Sequence, residues 1–296
     1  MRIAAAAYPI ERFARFADIE AKLSAWVAEA AGQGADLLVF PEYAAMEAAG
    51  PARLAEGDQE GCLRAAAEGR PAYDAVLDRL ARAHGVHILS GSGPVYAGHN
   101  GRPVNRATLF SPRGPVGHQD KCVMTRFERE AMDVVPGDGL ALFDTALGRI
   151  GVLICYDSEF PLLGRALAEA GGEIILAPSA TEMEAGFTRV RVGAMARALE
   201  NQCVTVHAPL VGASPWVVGL EENTGRASVY GPPDRGFPPT GIVAEGALGQ
   251  PGWVIADVDP GAVRDLRADG TVLNLAHWPE QVPQAAAIRT VTAPSG

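Results

Sequence analysis

Short apolar runs that stop at proline, glycine or a polar residue alternate along this chain with alanine-rich stretches of helical spacing. That alternation narrows the possible folds more than any other feature. Residues 2–8 read as a strand and 16–31 as a helix, with Ile19, Leu23, Trp26, Val27 and Ala30 on one apolar stripe. Leu37-Leu38-Val39-Phe40 is a buried strand stopped by Pro41. The pattern continues with a helix at 73–84, strands at 86–90, 107–110, 140–143 and 150–154, and a helix at 162–170. A strand at 174–177, a helix at 188–201 and a strand at 204–207 complete it. Strands this apolar need cover on both faces, so the expectation is an α/β layered domain whose helices cover a largely buried sheet.

From 212 to 252 the pattern loosens into Gly, Pro and short polar stretches, such as Gly231-Pro232-Pro233 and Phe237-Pro238-Pro239. These read as loops and hairpins, because 253–258 returns as one more strand. The stretch 270–296 has no clear period, and its Pro-rich end reads as an extended arm. No fixed repeat and no break between two cores is evident, so a single domain is expected, with 1–268 as its body and 269–296 as a C-terminal extension.

At 296 residues and 48% hydrophobic content the chain has ample material for a core. A net charge of -10 and a pI near 5.1 disfavour nucleic acid and anionic membrane surfaces, and no run of Lys and Arg opposes that mean field. The apolar run within Met1-Arg2-Ile3-Ala4-Ala5-Ala6-Ala7-Tyr8-Pro9 is too short for a signal peptide, and no segment has the apolar length of a membrane span. A cytoplasmic protein without nucleic-acid or membrane partners is expected. Cys62, Cys122, Cys155 and Cys203 lie far apart, without the close pairs of a zinc site, and read as reduced thiols. His84 and His87 are the closest histidine pair, but Gly85 lies between them. No metal and no cofactor is expected.

Reactive groups in α/β sheets gather beyond the carboxyl ends of strands, where side chains can converge. Three strand ends carry unusual residues. In Val39-Phe40-Pro41-Glu42-Tyr43 a carboxylate directly follows a strongly apolar strand. In Gly151-Val152-Leu153-Ile154-Cys155-Tyr156-Asp157-Ser158-Glu159-Phe160-Pro161 a strand delivers a cysteine into a tight turn before a helix, where free amides favour thiolate and can bind an oxyanion. Asp157 is placed to cap that helix or to fix the turn. The third, Gly117 through Glu130, contains Lys121 with Glu128 seven residues on, and Pro136-Gly137-Asp138-Gly139 follows it.

Phe40-Pro41-Glu42, then Lys121 with Glu128, then Cys155-Tyr156-Asp157 through Phe160-Pro161, in that order, resemble the nitrilase superfamily of carbon-nitrogen hydrolases. Leu176-Ala177-Pro178-Ser179, Arg197-Ala198-Leu199-Glu200-Asn201, Asp257 and Trp278-Pro279-Glu280-Gln281 extend the resemblance over nearly the whole chain. It implies a single-domain four-layer α-β-β-α sandwich and a catalytic set of Glu42, Lys121 and Cys155, with Glu128 as a supporting glutamate and Glu130 close enough to compete for that role. It also implies a homodimer or higher homo-oligomer, with the C-terminal extension in a position to contact a partner protomer.

Amide hydrolysis needs a nucleophile, an oxyanion stabiliser and a proton carrier. Cys155, Lys121 with the Tyr156 N–H, and Glu42 fit those tasks, through a thioester intermediate. Tyr156-Asp157 resembles the amidase and carbamoylase branches, so the expected substrate is a small amide or ureido compound, with nitrile hydrolysis as the alternative. Tyr43, Tyr156, Thr181 and Glu182 are candidate pocket residues, and Arg189 or Arg191 could meet a substrate carboxylate. Two rivals stand beside this reading. One is a Cys155–His207 hydrolase, which leaves Glu42 and Lys121 unexplained; the other is a non-catalytic sandwich that only binds ligands or partners.

Overall fold

β1 (Arg2–Ala7) is apolar at five consecutive positions, all of them buried. Side chains alternate across a strand, so Ile3, Ala5 and Ala7 join one apolar cluster while Ala4 and Ala6 join another. β2 (Leu37–Val39) divides likewise: Leu37 and Val39 on one side, Leu38 on the other. A sheet of such strands must have a layer on each face. In this computed structural model, which describes residues 1–96 and 98–293, it has both.

The first sheet runs from β1 through β2 and β3 (His87–Val95), all parallel, to the antiparallel strands β4 (Val104–Ser111) and β5 (Gly114–Asp120). The second contains β6 (Leu142–Thr145), then the parallel set β7 (Gly148–Val152), β8 (Ile174–Ser179) and β9 (Val204–Pro209). A two-stranded hairpin, β10 (Gly212–Ala213) with β11 (Glu222–Asn223), stands apart. β12 (Ser228–Tyr230) and β13 (Ile242–Glu245) complete the second sheet, and β14 (Gly252–Asp257) returns to pair antiparallel with β1. The inner faces meet in one core, where Ile3, Val39 and Leu109 pack with Val152, Leu176 and Val206.

α1 (Phe16–Gly32) and α2 (Gln59–His84) cover the outer face of the first sheet through Leu23, Val27 and Leu77. A five-residue helix, α3 (Arg126–Glu130), follows β5. α4 (Pro161–Glu169) and α5 (Glu184–Asn201) cover the second sheet through Leu167, Ala194 and Ala198. The result is the four-layer α-β-β-α sandwich. No described helix is long and apolar enough to cross a membrane.

Three stretches differ from the sequence reading. The helix expected at 73–84 begins at Gln59, capped by Asp58, and continues through Pro71. Its glycines serve close packing: a Cβ on Gly69 would lie 2.8 Å from the Ala48 carbonyl oxygen. The loose 212–252 segment supplies two strands of the second sheet, each too short to show a period. The tail, in which no period is evident, follows α6 (Pro260–Asp269) and carries two short helices before its end, α7 (Asn274–His277) and α8 (Gln281–Ala285). Arg165 donates to the Leu275 carbonyl and lies over the Trp278 ring, which ties the tail to α4. Residues 286–293 carry no regular element, and 294–296 lie outside the described residues.

Removing Leu176 side-chain atoms from the inter-sheet core leaves a void that packed sheets cannot collapse around. Leu176→Ala should lower the unfolding free energy by about 3 kcal/mol, read as a lower urea midpoint with an unchanged denaturant slope.

Candidate active site

Parallel strands β2, β7 and β8 end at one rim, and the chain leaving each of them supplies part of a single cluster. After β2, the Pro41 carbonyl accepts the Ser92 N–H at 3.1 Å. Gly91, at φ +70, is needed there because a Cβ would lie 2.4 Å from that carbonyl oxygen. The fixed turn carries Glu42 inward, where it is 1% exposed. Its Oε2 accepts the Ala180 N–H at 2.9 Å, and its Oε1 accepts Lys121 Nζ at 2.7 Å and Asn105 Nδ2 at 3.0 Å.

Lys121 follows β5 and is equally buried. Its ammonium donates to Glu42 and, at 2.8 and 2.7 Å, to both oxygens of Glu128. Glu128 occupies the third position of α3 in a capping box: its Oε2 accepts the Thr125 N–H at 2.8 Å while Thr125 Oγ1 accepts the Glu128 N–H. Glu130 points to solvent and pairs with Arg126, so Glu128 is the glutamate beside the lysine.

Cys155 begins a 3-10 turn, Cys155–Glu159, at φ +50. Few non-glycine residues adopt that left-handed conformation without a surrounding structure that imposes it. Part of that structure is Asp157, fully buried, whose carboxylate accepts the N–H groups of Cys122 (3.1 Å), Val123 (2.7 Å) and Ile154 (3.3 Å). One side chain thus fixes the cysteine turn and ties it to the segment bearing Lys121. The Cys155 Sγ lies 3.8 Å from the Ala180 carbonyl oxygen.

Burial raises the proton affinity of Glu42; Lys121 opposes this, Glu128 reinforces it, and the carboxyl is pushed up to about 7. Burial also works against the Lys121 charge, but Glu42 and Glu128 outweigh it and hold the ammonium well above the usual lysine range. Glu128 is likewise raised by burial, yet its contact with Lys121 prevails and keeps it below the ordinary carboxylate range. Burial and the facing Glu42 carboxylate push the Cys155 thiol well up. The resting proton therefore favours sulfur, with the Glu42 carboxylate facing it.

Glu42, Lys121, Glu128 and Cys155 all line one cavity of about 310 Å³, with Tyr43, Phe127, Glu182 and Leu220 among its other walls. Cys155 also borders an adjoining hollow of about 210 Å³ formed by Tyr156, Thr181, Glu182 and Arg189. Of the expected pocket residues, Tyr43 and Glu182 line the main cavity, while Tyr156 and Thr181 face only the second. The Tyr43 hydroxyl is committed to Glu128 at 2.9 Å, and Thr181 Oγ1 to the Thr224 carbonyl at 2.8 Å. Arg189 borders the hollow beside Glu159, whereas Arg191 pairs with Glu245 away from both spaces. His207 lines neither: it is buried, bonded to Ser179 Oγ at 2.7 Å and stacked on Phe187. Burial pushes its ring down to about 3, which removes it as a base for Cys155. Asn105 and Thr125 carry no motif, and the sequence reading passes over both. Among the described residues no cluster of three or more His, Cys, Asp or Glu side chains could hold a metal ion.

Known proteins resemble this chain in sequence and in fold. The sequence model of the carbon-nitrogen hydrolase family matches residues 2–268. The Bacillus subtilis protein named probable hydrolase YhcX is 32% identical over 275 residues, 93% of this chain but 53% of its own length, so the chain spans about half of that relative. An omega-amidase of Danio rerio is 29% identical over 252 residues, covering 81% of this chain and 82% of the relative. In fold, a crystal structure of a Saccharomyces cerevisiae member of branch 10 of the nitrilase superfamily superposes with a TM-score of 0.70 at 20% identity, covering 90% of this chain and 93% of that one. With a family match over nearly all of its length and the fold to go with it, the chain belongs to the carbon-nitrogen hydrolase family.

Proposed function

We propose that this hydrolase cleaves a small amide or N-carbamoyl compound, with Cys155 as nucleophile, Glu42 as proton carrier and Lys121 as oxyanion stabiliser. The observation that carries the reading is the convergence of carboxylate, ammonium and thiol on one cavity. Glu42 takes the thiol proton, and the sulfur attacks the substrate carbonyl carbon. The oxyanion of the tetrahedral intermediate is held by the Lys121 ammonium and the Tyr156 N–H. Glu42 returns its proton to the departing nitrogen, which leaves as ammonia or amine, and a thioester remains on Cys155. Water then gives a proton to Glu42 and attacks the thioester; collapse of the second intermediate breaks the carbon–sulfur bond and releases the acid, and Glu42 returns its proton to the departing sulfur, restoring the thiol. Glu128 keeps Lys121 charged and aimed throughout. The omega-amidase name of one relative supports amides as the substrate class.

We further propose a cytoplasmic homodimer. Four free cysteines suit a reducing compartment. The outer face of α4 and α5 exposes Leu162, Val192 and Leu199, an apolar surface suited to a second copy, and the start of the extension, tied to α4 at Leu275, is placed to touch the partner.

Three outcomes follow from this reading. Mass spectrometry after brief exposure to a panel of amides and ureido acids should find an acyl adduct on Cys155, absent in Cys155→Ala; hydrolysis without any adduct in either protein would refute the thioester route. Lys121→Ala should reduce kcat by about a hundredfold or more, since one oxyanion donor contributes about 3 kcal/mol. Because the first step needs Glu42 unprotonated, kcat/KM should rise with pH through about 7, and that limb should vanish with the residual activity of Glu42→Gln. Separately, Val192→Glu combined with Leu199→Glu should shift the sedimentation coefficient from dimer to monomer; an unchanged dimer would relocate the interface.

A further inference from the structure

Asn105 lies near the start of β4, fully buried, within Val104-Asn105-Arg106-Ala107. It touches three of the groups just described. Its backbone carbonyl accepts the Lys121 N–H at 2.9 Å. Its Nδ2 donates to Glu42 Oε1 at 3.0 Å and lies 3.4 Å from Glu128 Oε1. A carbonyl oxygen turned toward two carboxylates would repel both, so the neighbours dictate which way the amide points. Its Oδ1 is buried without a hydrogen-bond partner among the described residues. A buried polar atom left unpaired is costly, and it is tolerated where the rest of the group has a task that an apolar side chain could not perform.

We infer that Asn105 is a positioning residue: it holds the Glu42 carboxylate against Lys121 and sets how readily Glu42 takes the Cys155 proton. The inference rests on Glu42 being the proton carrier. Glu42 is faced by the Lys121 ammonium after β5, the Glu128 carboxylate from α3, the Cys155 thiol, and the Ala180 N–H after β8. From β4, Asn105 adds one more N–H, and a donor to a carboxylate favours the charged form. Losing a hydrogen bond to a charged group corresponds to a rise of about one pH unit in proton affinity. Substituting the side chain leaves the backbone bond to Lys121 in place, so the effect falls on the carboxylates.

Asn105→Leu keeps the volume and removes the donor; Asn105→Asp keeps the shape and adds a third carboxylate. The pH dependence of Cys155 alkylation by iodoacetamide reads the Glu42–Cys155 proton equilibrium without any substrate, so a failure to find amide hydrolysis leaves the test standing. Its acid limb should move up by about one pH unit in Asn105→Leu and further in Asn105→Asp. Where an amide is turned over, kcat/KM should show the same displacement, with KM little changed and kcat at pH 7 down about fivefold. A merely structural role would lower rates equally at every pH, so folded variants with an unmoved limb would overturn the inference. In the unaltered protein, the side-chain amide signals of 15N-labelled Asn105 should titrate with the alkylation midpoint. Signals that stay flat across that range would also overturn it, whether or not either variant folds.

Discussion

A lysine ammonium sealed from water between two carboxylates is the interaction on which this site depends. Desolvating a charge is expensive, and a buried ion is retained only where its partners satisfy it with good geometry. Lys121 has Glu42 on one side and both oxygens of Glu128 on the other. The two acids do not share the cation equally. Glu128 takes the bidentate contact and the Thr125 amide, which keep it charged, while burial, reinforced by the facing Glu128 charge and only partly offset by Lys121, raises the proton affinity of Glu42. The asymmetry gives two chemically identical side chains opposite tendencies: one is held charged against a cation and the other is pushed toward its protonated form.

The sandwich makes that asymmetry possible. Glu42 leaves a strand of the first sheet and Cys155 leaves a strand of the second, so their meeting requires the two sheets to be packed face to face. The inter-sheet core of Ile3, Val39, Leu109, Val152 and Leu176 therefore sets how these two side chains meet. Two links cross the junction directly. Ala180, from the second sheet, donates its N–H to Glu42 and turns its carbonyl toward the Cys155 thiol. Asp157 gathers amides from the Lys121 segment and from its own turn. Rigid elements supported by such cross-links hold reacting groups more closely than mobile loops can.

Much of the site was legible along the chain because each polar residue broke an apolar run at a strand end. Glu42 after Phe40-Pro41 and Cys155 after Leu153-Ile154 are of this kind. The choice between Glu128 and Glu130 needed the helix: two residues of α3 turn the side chain by about 200°, so one faces Lys121 and the other faces water. The same geometry separates Arg189, beside the cavity, from Arg191, paired with Glu245. Asn105 was invisible, since it sits inside an unremarkable strand and its partner Glu42 is 63 residues away. Tyr43 was found but its use was not, because its hydroxyl bonds inward to Glu128. β12, β13 and α6 escaped notice for a simpler reason: each is too short, or too polar, for a period to emerge above the loops around it.

By itself the sequence determined which segments are apolar enough to be strands with both faces covered, and which chemically capable residues stand at their ends. Those properties are local, set by side-chain hydrophobicity and by the few φ and ψ values that proline and glycine permit. Only the tertiary structure decided which of those residues share a dry cavity, how one ammonium is divided between two carboxylates, and which hydroxyls and arginines are already committed elsewhere. Proton affinity and hydrogen-bond partnership depend on distances of a few ångströms between residues remote in the chain, and no pattern of spacing encodes them.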